Sequence, residues 1–149
     1  MISFQVIGAK EIAGKFATAA KVAPAVGVPA GLNTAALLVL RRAKQKAPVD
    51  TGHMEAAISK SEATPAGVDV TSHADYSVYV EYGTGIYAEG GGGRKDPWVY
   101  FNERFGHFVK TSGSPAQPFM RPALDESKEQ IEALLGKAVI TSFEGVMHA

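Results

Sequence analysis

Asp50-Thr51-Gly52 spells a hydrolytic motif in this 149-residue chain. In dimeric aspartic proteases two such aspartates, one from each subunit, share a proton and activate water. That chemistry needs an apolar strand leading into the aspartate. Here Lys44-Gln45-Lys46-Ala47-Pro48 leads into it on a helical pattern, so a protease stands only as the alternative from another class. Gly83-Thr84-Gly85 and the run Gly90 to Gly93 have the composition of a phosphate cradle, which requires a strand before it and a helix directly after it. Arg94-Lys95-Asp96-Pro97-Trp98 and a strand-like run follow instead, and that reading is rejected. His53, His73, His107 and His148 are far apart and form no i, i+4 pair, whereas a zinc site needs three or four converging ligands. No metal or cofactor is expected. The chain has no cysteine, which removes disulfides, thiolate ligands and cysteine nucleophiles and fits assembly in a reducing cytoplasm.

Lys plus Arg number 15 and Asp plus Glu number 15. A protein that grips DNA by its phosphates is normally basic, so a general DNA-binding module ranks third. Zero net charge lowers colloidal repulsion and suits a subunit that associates. Tyr76, Tyr79, Tyr82, Trp98, Tyr100 and Phe101 could stack on bases. Without a basic sheet face, packing in a core and at an interface accounts for them better. No run of 18 uninterrupted apolar residues occurs, so no transmembrane helix is expected. Glu11 and the lack of a basic start argue against a signal peptide.

The length predicts a single domain over residues 1–149. Ile2, Phe4, Val6 and Ile7 suggest a short strand or arm, and Ile12, Phe16, Ala19, Ala20 and Ala23 repeat at helical spacing. Pro24 to Pro29 should end or bend that first helix. A second helix is expected from Gly31–Asn33, with Asn33 as N-cap and a stripe of Leu32, Ala35, Ala36, Val39, Leu40, Ala43 and Ala47. Arg41, Arg42, Lys44 and Lys46 crowd its last turns, where cations complement the helix dipole. From Ala57 to Tyr82 the period shifts towards two, giving strands at Val68–Ser72 and Tyr76–Glu81. Trp98–Phe101 and Phe105–Lys110 predict a further strand pair. A last helix opens near Pro122, with Leu124, Ile131, Leu135 and Ala138 on one face and a frayed tail over 146–149. The order helix, strands, helix implies α+β, with an antiparallel sheet packed by an N-terminal/central helix and a C-terminal helix, and two long flexible loops.

Three motifs now stand in order: Ala47-Pro48-Val49-Asp50-Thr51-Gly52, then Val80-Glu81-Tyr82-Gly83-Thr84-Gly85, then Gln117-Pro118-Phe119-Met120-Arg121-Pro122-Ala123-Leu124. Together they resemble the head–tail joining (neck, tail-completion) family of long-tailed bacteriophages and prophages, over about Thr34 to Leu135. The first 30 residues, an N-terminal helical extension, and the Gly90–Gly93 run do not follow that pattern. The resemblance implies a structural virion protein with no catalytic residue. It would form a ring, usually hexameric, at the head–tail junction. Its partners would be copies of itself, a head-completion (stopper) protein, and a tail terminator or the tail tube. DNA would pass through without sequence-specific contact, no membrane would be involved, and assembly would take place in the host bacterial cytoplasm. The alternative within this class is a tail terminator ring capping the tail tube.

Within that reading, Asp50, Thr51 and Gly52 reverse the chain. Gly83, Thr84 and Gly85 end an edge strand so that the next loop swings away. Pro118 fixes an extended approach, and Phe119 and Met120 anchor the last helix. Loops 86–96 and 111–117, with Gly90, Gly91, Arg94, Lys95 and Gln117, are expected to be mobile in an isolated subunit and to order on contact with a neighbour. The basic helix end at Arg41, Arg42 and Lys44 is expected to face the acidic start of the last helix, Asp125, Glu126, Glu129 and Glu132, on an adjacent copy. Arg94 and Lys95 could touch DNA phosphate, with a solvated loop as the blander reading.

Overall fold

The computed structural model describes residues 17, 18, 20–49 and 52–148. The expected arm at residues 2–7, the positions Ile12, Phe16 and Ala19, and the turn residues Asp50 and Thr51 lie outside the described residues. In chain order the elements are α1 (Val28–Lys46), α2 (His53–Ala56), β1 (Ile58–Lys60), β2 (Val70–Ser72), α3 (Ser77–Tyr82), β3 (Trp98–Asn102), β4 (His107–Thr111), α4 (Met120–Asp125) and α5 (Lys128–Met147). The class is α+β, with the strands in two separate two-stranded sheets, β1–β2 and β3–β4. Backbone contacts gather the chain into two compact units. One holds the chain up to Val39, Lys60–Val70 and the chain from Glu126 on. The other holds Leu40–Ser59 and Thr71–Asp125.

The helix that carries α1 corrects the expected break. Ala20–Lys46 is one continuous helix of 27 residues, and Asn33 lies inside it. Ala23–Gly27 turns as a π-helix before α1 begins. The wider turn accommodates the missing N–H and the ring of Pro24, so the chain passes both prolines without leaving the helix. The helix is long and apolar enough to cross a membrane by length and composition, with a mean hydropathy of 1.6 over 18 residues. The core helix of a soluble protein has the same composition. Ala35, Ala36 and Val39 are buried within their unit.

In that first unit the π-helical turn and α5 pack closely. Two glycines four residues apart allow the approach. A Cβ on Gly27 would lie 2.7 Å from Ser142 Oγ and 2.9 Å from the Ala138 carbonyl oxygen, and one on Gly31 would lie 3.0 Å from Ala138 Cβ. The expected single C-terminal helix is two pieces, α4 and α5, separated at Glu126 and the buried Ser127. α5 runs through Met147, and the His148 N–H closes on the Glu144 carbonyl at 3.1 Å.

The second unit has a core of small and medium side chains: Ala43, Ala47, Met54, Ile58, Ala74, Phe119 and Ala123. Gly52, at φ +75°, leads into the single turn of α2. The predicted strand pair forms an antiparallel hairpin of Trp98–Asn102 with His107–Thr111, Phe101 opposite Phe108, and Phe105 and Gly106, expected in the second strand, lie in the turn. Asn102 builds its connection. The Asn102 carbonyl accepts from Gly106 N–H at 2.8 Å, and its side-chain oxygen accepts from Arg104 N–H at 3.1 Å. The expected strand at Tyr76–Glu81 is instead helix α3. Its alternating valines and tyrosines are mostly exposed, Val78 at 60% and Tyr79 at 62%, while Glu81 is buried. The position that must point inward is a carboxylate, and a helical turn from Ser77 presents it there.

Replacing Gly31 by Leu adds up to about 1 kcal/mol of helix propensity but forces overpacking that costs about 1–3 kcal/mol. The expected result is a lower midpoint in thermal unfolding by circular dichroism. Gly136→Ala, where an added Cβ meets open space, should raise the midpoint in the same assay.

Candidate functional site

Glu81 is the centre of the second unit. Its residue exposure is 5%, and a buried carboxylate needs partners for its lone pairs. One carboxylate oxygen, Oε2, accepts from the backbone N–H groups of Phe119 and Met120 at 2.8 and 3.0 Å. The other, Oε1, accepts from the Arg121 N–H and from Arg121 Nε, each at 3.0 Å. The backbone donors are Phe119, just before α4, and the first two residues of α4, whose N–H groups have no partner within that helix. Burial pushes the Glu81 carboxyl up, but the three N–H groups and Arg121 together outweigh it and hold the group below its ordinary value.

Arg121 extends the latch outward. Its Nη2 donates to the Glu81 carbonyl at 3.0 Å, and Nη1 and Nη2 form a fork on Glu89 at 2.9 and 2.8 Å. The guanidinium lies 4.5 Å from the centre of the Tyr82 ring, a cation–π contact. Bonding to Arg121 also holds the Glu89 carboxyl below its ordinary range. The arginine in turn is raised, by its bonds to Glu89 and then Glu81.

Beside the latch, Gly83-Thr84-Gly85 lies backbone to backbone on Ser112–Ser114. Thr84 N–H donates to the Ser114 carbonyl at 2.9 Å, Ile86 N–H to the Ser112 carbonyl at 3.0 Å, and Ser114 N–H to Thr84 Oγ1 at 2.9 Å. Gly83 and Gly85 have φ of +74° and +60°. A Cβ on Gly85 would overlap the Ser112 carbonyl, and one on Gly113 would overlap that of Thr84. The expectation that this motif ends an edge strand and releases the next loop is therefore corrected. It follows a helix, and its backbone is pinned to residues 112–114.

The structure brings Glu81, Tyr82, Phe119 and Arg121 into one network. Gly83, Thr84 and Gly85 flank it, and Gln117 N–H donates to the Val80 carbonyl at 2.8 Å. The Gln117 side lines a shallow groove of about 280 Å³ with Pro48, Tyr76, Tyr79 and Pro115. Pro118 is exposed, and Pro122 is half-buried in the first turn of α4. Gly90 and Gly91 are exposed in a short 3-10 turn at φ +74° and +69°. Lys95 and Arg94 fold back on their own segment, Lys95 Nζ at 2.7 Å from the Gly91 carbonyl and Arg94 5.6 Å from the centre of the Trp98 ring. Arg41 is exposed and Arg42 and Lys44 half-buried, while Asp125, Glu126, Glu129 and Glu132 are exposed. Arg42, Lys46, Asp125 and Glu126 already have partners within the chain.

Sequence reasoning missed Glu89 and the bed of residues 112–114. Nothing in the spacing pairs Glu89, 32 positions before Arg121, with that arginine. A glycine cluster with no helix after it is the one available signal for close backbone crossing. Of the aromatics expected to pack in a core and at an interface, Tyr76, Tyr79, Tyr82, Tyr100 and Phe101 are exposed and Trp98 is half-buried, which corrects the core part of that expectation. Ser59 Oγ lies 2.8 Å from His73 Nε2, but both residues are exposed and the pair lies outside this network.

A family description reading "Bacteriophage HK97-gp10, putative tail-component" matches residues 10–83. The site thus belongs to a structural component of a phage particle. Over that stretch, about half of the chain, the protein belongs to the HK97-gp10-like family of phage tail components. The match begins at residue 10, inside the first 30 residues that the motif resemblance leaves out, and ends at Gly83, before Phe119 and Arg121. No curated protein and no solved structure matches the chain.

Glu81→Ala leaves three backbone N–H groups without their acceptor while Arg121 keeps its fork on Glu89, and should cost about 1–3 kcal/mol in urea unfolding. Because the Glu81 and Glu89 carboxyls are held below their ordinary values, their contribution is complete above the usual glutamate range near pH ~4.3. It is lost as pH falls through the lowered folded-state values. Stability should therefore drop on acidification, and Glu81→Gln should flatten that slope. Arg121→Lys cannot fork on Glu89 and should lower the thermal midpoint while leaving the helix content unchanged.

Proposed function

We propose that this chain is a structural component of the phage neck. In this reading it is a ring-forming head–tail joining protein that connects the portal complex of the capsid to the tail and leaves a passage for DNA. The observation that carries this reading is the latch. It binds Glu81-Tyr82-Gly83-Thr84-Gly85 and Phe119-Met120-Arg121 into one rigid scaffold, and every charged group in it is satisfied by another part of the chain. Membership of a tail-component family supports it, as does the helix that precedes Asp50 where a protease would need a strand. The chain acts by assembly, without catalysis and without a cofactor. Its partners are copies of itself, a head-completion protein above and tail proteins below. The half-buried and exposed cations at the end of α1 and the carboxylates near the start of α5 supply orientation between neighbours.

Particles made without this protein test the proposal in electron micrographs. Filled, tailless heads beside finished free tails are the expected result. Tails of uncontrolled length would assign the chain to tail termination instead. A peptidase activity that disappears in Asp50→Asn would replace the structural reading altogether.

A further inference from the structure

The β3–β4 hairpin is covered with apolar side chains that the chain leaves in solvent. Val99 and Phe101 share one face of the ladder with Phe108 and Lys110. Their exposures are 60% for Val99, 51% for Phe101 and 70% for Phe108, and Phe105 at the tip is 62% exposed. Phe101 and Phe108 meet edge to face at 5.3 Å, and Arg104 lies over the Phe105 ring at 5.8 Å. A two-stranded ribbon is marginal in water on its own, and a contiguous apolar face of this kind marks an interaction surface. The segment 94–111 is also basic, with Arg94, Lys95, Arg104 and Lys110 against Asp96 and Glu103.

The same chain carries a receptor of matching character. Thr34 and Leu38 of α1 and Gln130, Ala133 and Leu134 of α5 line an open groove of about 370 Å³. Leu37 beside it is 48% exposed. Exposed Glu126 and Glu129 stand about one turn before the groove residues of α5, and Lys137 one turn after Ala133. The groove is thus apolar in the middle, acidic at one end and basic at the other, opposite a tip that carries Glu103, Arg104 and Phe105 in succession.

Resting on the reading that the chain self-associates, we propose that the hairpin of one copy seats Phe105 in the α1–α5 groove of the next, with Phe101 and Phe108 packed behind it. Aromatic anchors in a pocket with complementary charge at its rim are the usual energetic centre of a protein interface. The two surfaces are different parts of the chain, so the contact is head-to-tail, the type that propagates into a ring or a filament.

The absence of native cysteine makes the test direct. Chains carrying Glu103→Cys, which keep the Phe105 anchor, are mixed with chains carrying Ala133→Cys, both at exposed positions, and treated with a short thiol cross-linker, in solution and in assembled particles. The expected result is one cross-linked pair from the mixture and none from either variant alone. Phe105→Ala should weaken self-association at least about tenfold in sedimentation equilibrium, with unchanged circular dichroism. Arg104→Glu should do the same and be rescued by Glu129→Arg. A Glu103→Cys homodimer would show ribbon-to-ribbon pairing and overturn the proposal. So would salt-sensitive quenching of Trp98 by a single-stranded oligonucleotide. Particles that contain the protein but yield no cross-link remove this surface and leave the neck reading standing. Particles that never contain the protein remove the neck reading itself.

Discussion

A carboxylate placed where water cannot reach it governs the second unit. Moving an ionised group out of water costs several kcal/mol unless hydrogen bonds replace its hydration. Glu81 has four such bonds, three of them from backbone N–H groups, those of Phe119 just before α4 and of Met120 and Arg121 in its first turn. Those N–H groups need an acceptor as much as Glu81 needs donors, because the first turn of a helix has none of its own. Each side removes the other's penalty. The arrangement forces α3 to be helical, since the side chain must point to where α4 begins. It also fixes the approach of Pro118 and Phe119 and the burial of Phe119. Arginine is required at position 121 because one planar group must serve Glu81, the Glu81 carbonyl and Glu89 together, which a lysine point charge cannot do.

The glycines around the latch solve a second problem, the approach of two backbones with no side chain between them. Gly85 and Gly113 face each other so closely that a methyl group on either would overlap a carbonyl of the opposite segment. The positive φ at Gly83 and Gly85 adds a conformational reason, since L-residues pay for that region. Close approach and hydrogen bonds from Thr84 and Ile86 hold residues 112–114 in place, and Glu89 ties the following turn back to Arg121. A loop that composition alone marks as floppy is thereby tied down at Ile86 and Glu89.

This explains what the sequence revealed and what it hid. The hairpin of Trp98–Asn102 and His107–Thr111 was legible because alternating aromatics and Asn102 and Gly106 in the connection are local signals. So was the apolar stripe of α1. The helix of Ser77–Tyr82 was not, because β-branched and aromatic residues there point to solvent and the deciding interaction is with a residue 38 positions away. Tertiary demand overrode local propensity. The break expected at Pro24–Pro29 failed because a π-turn absorbed it, which no pattern of apolar residues encodes. For the site, the three motifs identified Glu81 and Arg121 as members, but their partnership, and Glu89's share in it, is a property of the fold alone.

The distribution of large side chains carries the argument one step further. Alanine fills much of the interior: Ala35, Ala36, Ala43, Ala47, Ala74 and Ala123 are buried, and Phe119 is the one fully buried aromatic among the described residues. Small residues let helices approach closely, but each contributes little apolar area. The chain places its large side chains, Tyr79, Tyr82, Tyr87, Phe101, Phe105 and Phe108, at the surface. A protein selected only for its own stability would bury them. A subunit gains more by keeping them for contacts with neighbours, where burial of aromatic area contributes to assembly. The free energy withheld from its own interior becomes available when it is built into a particle.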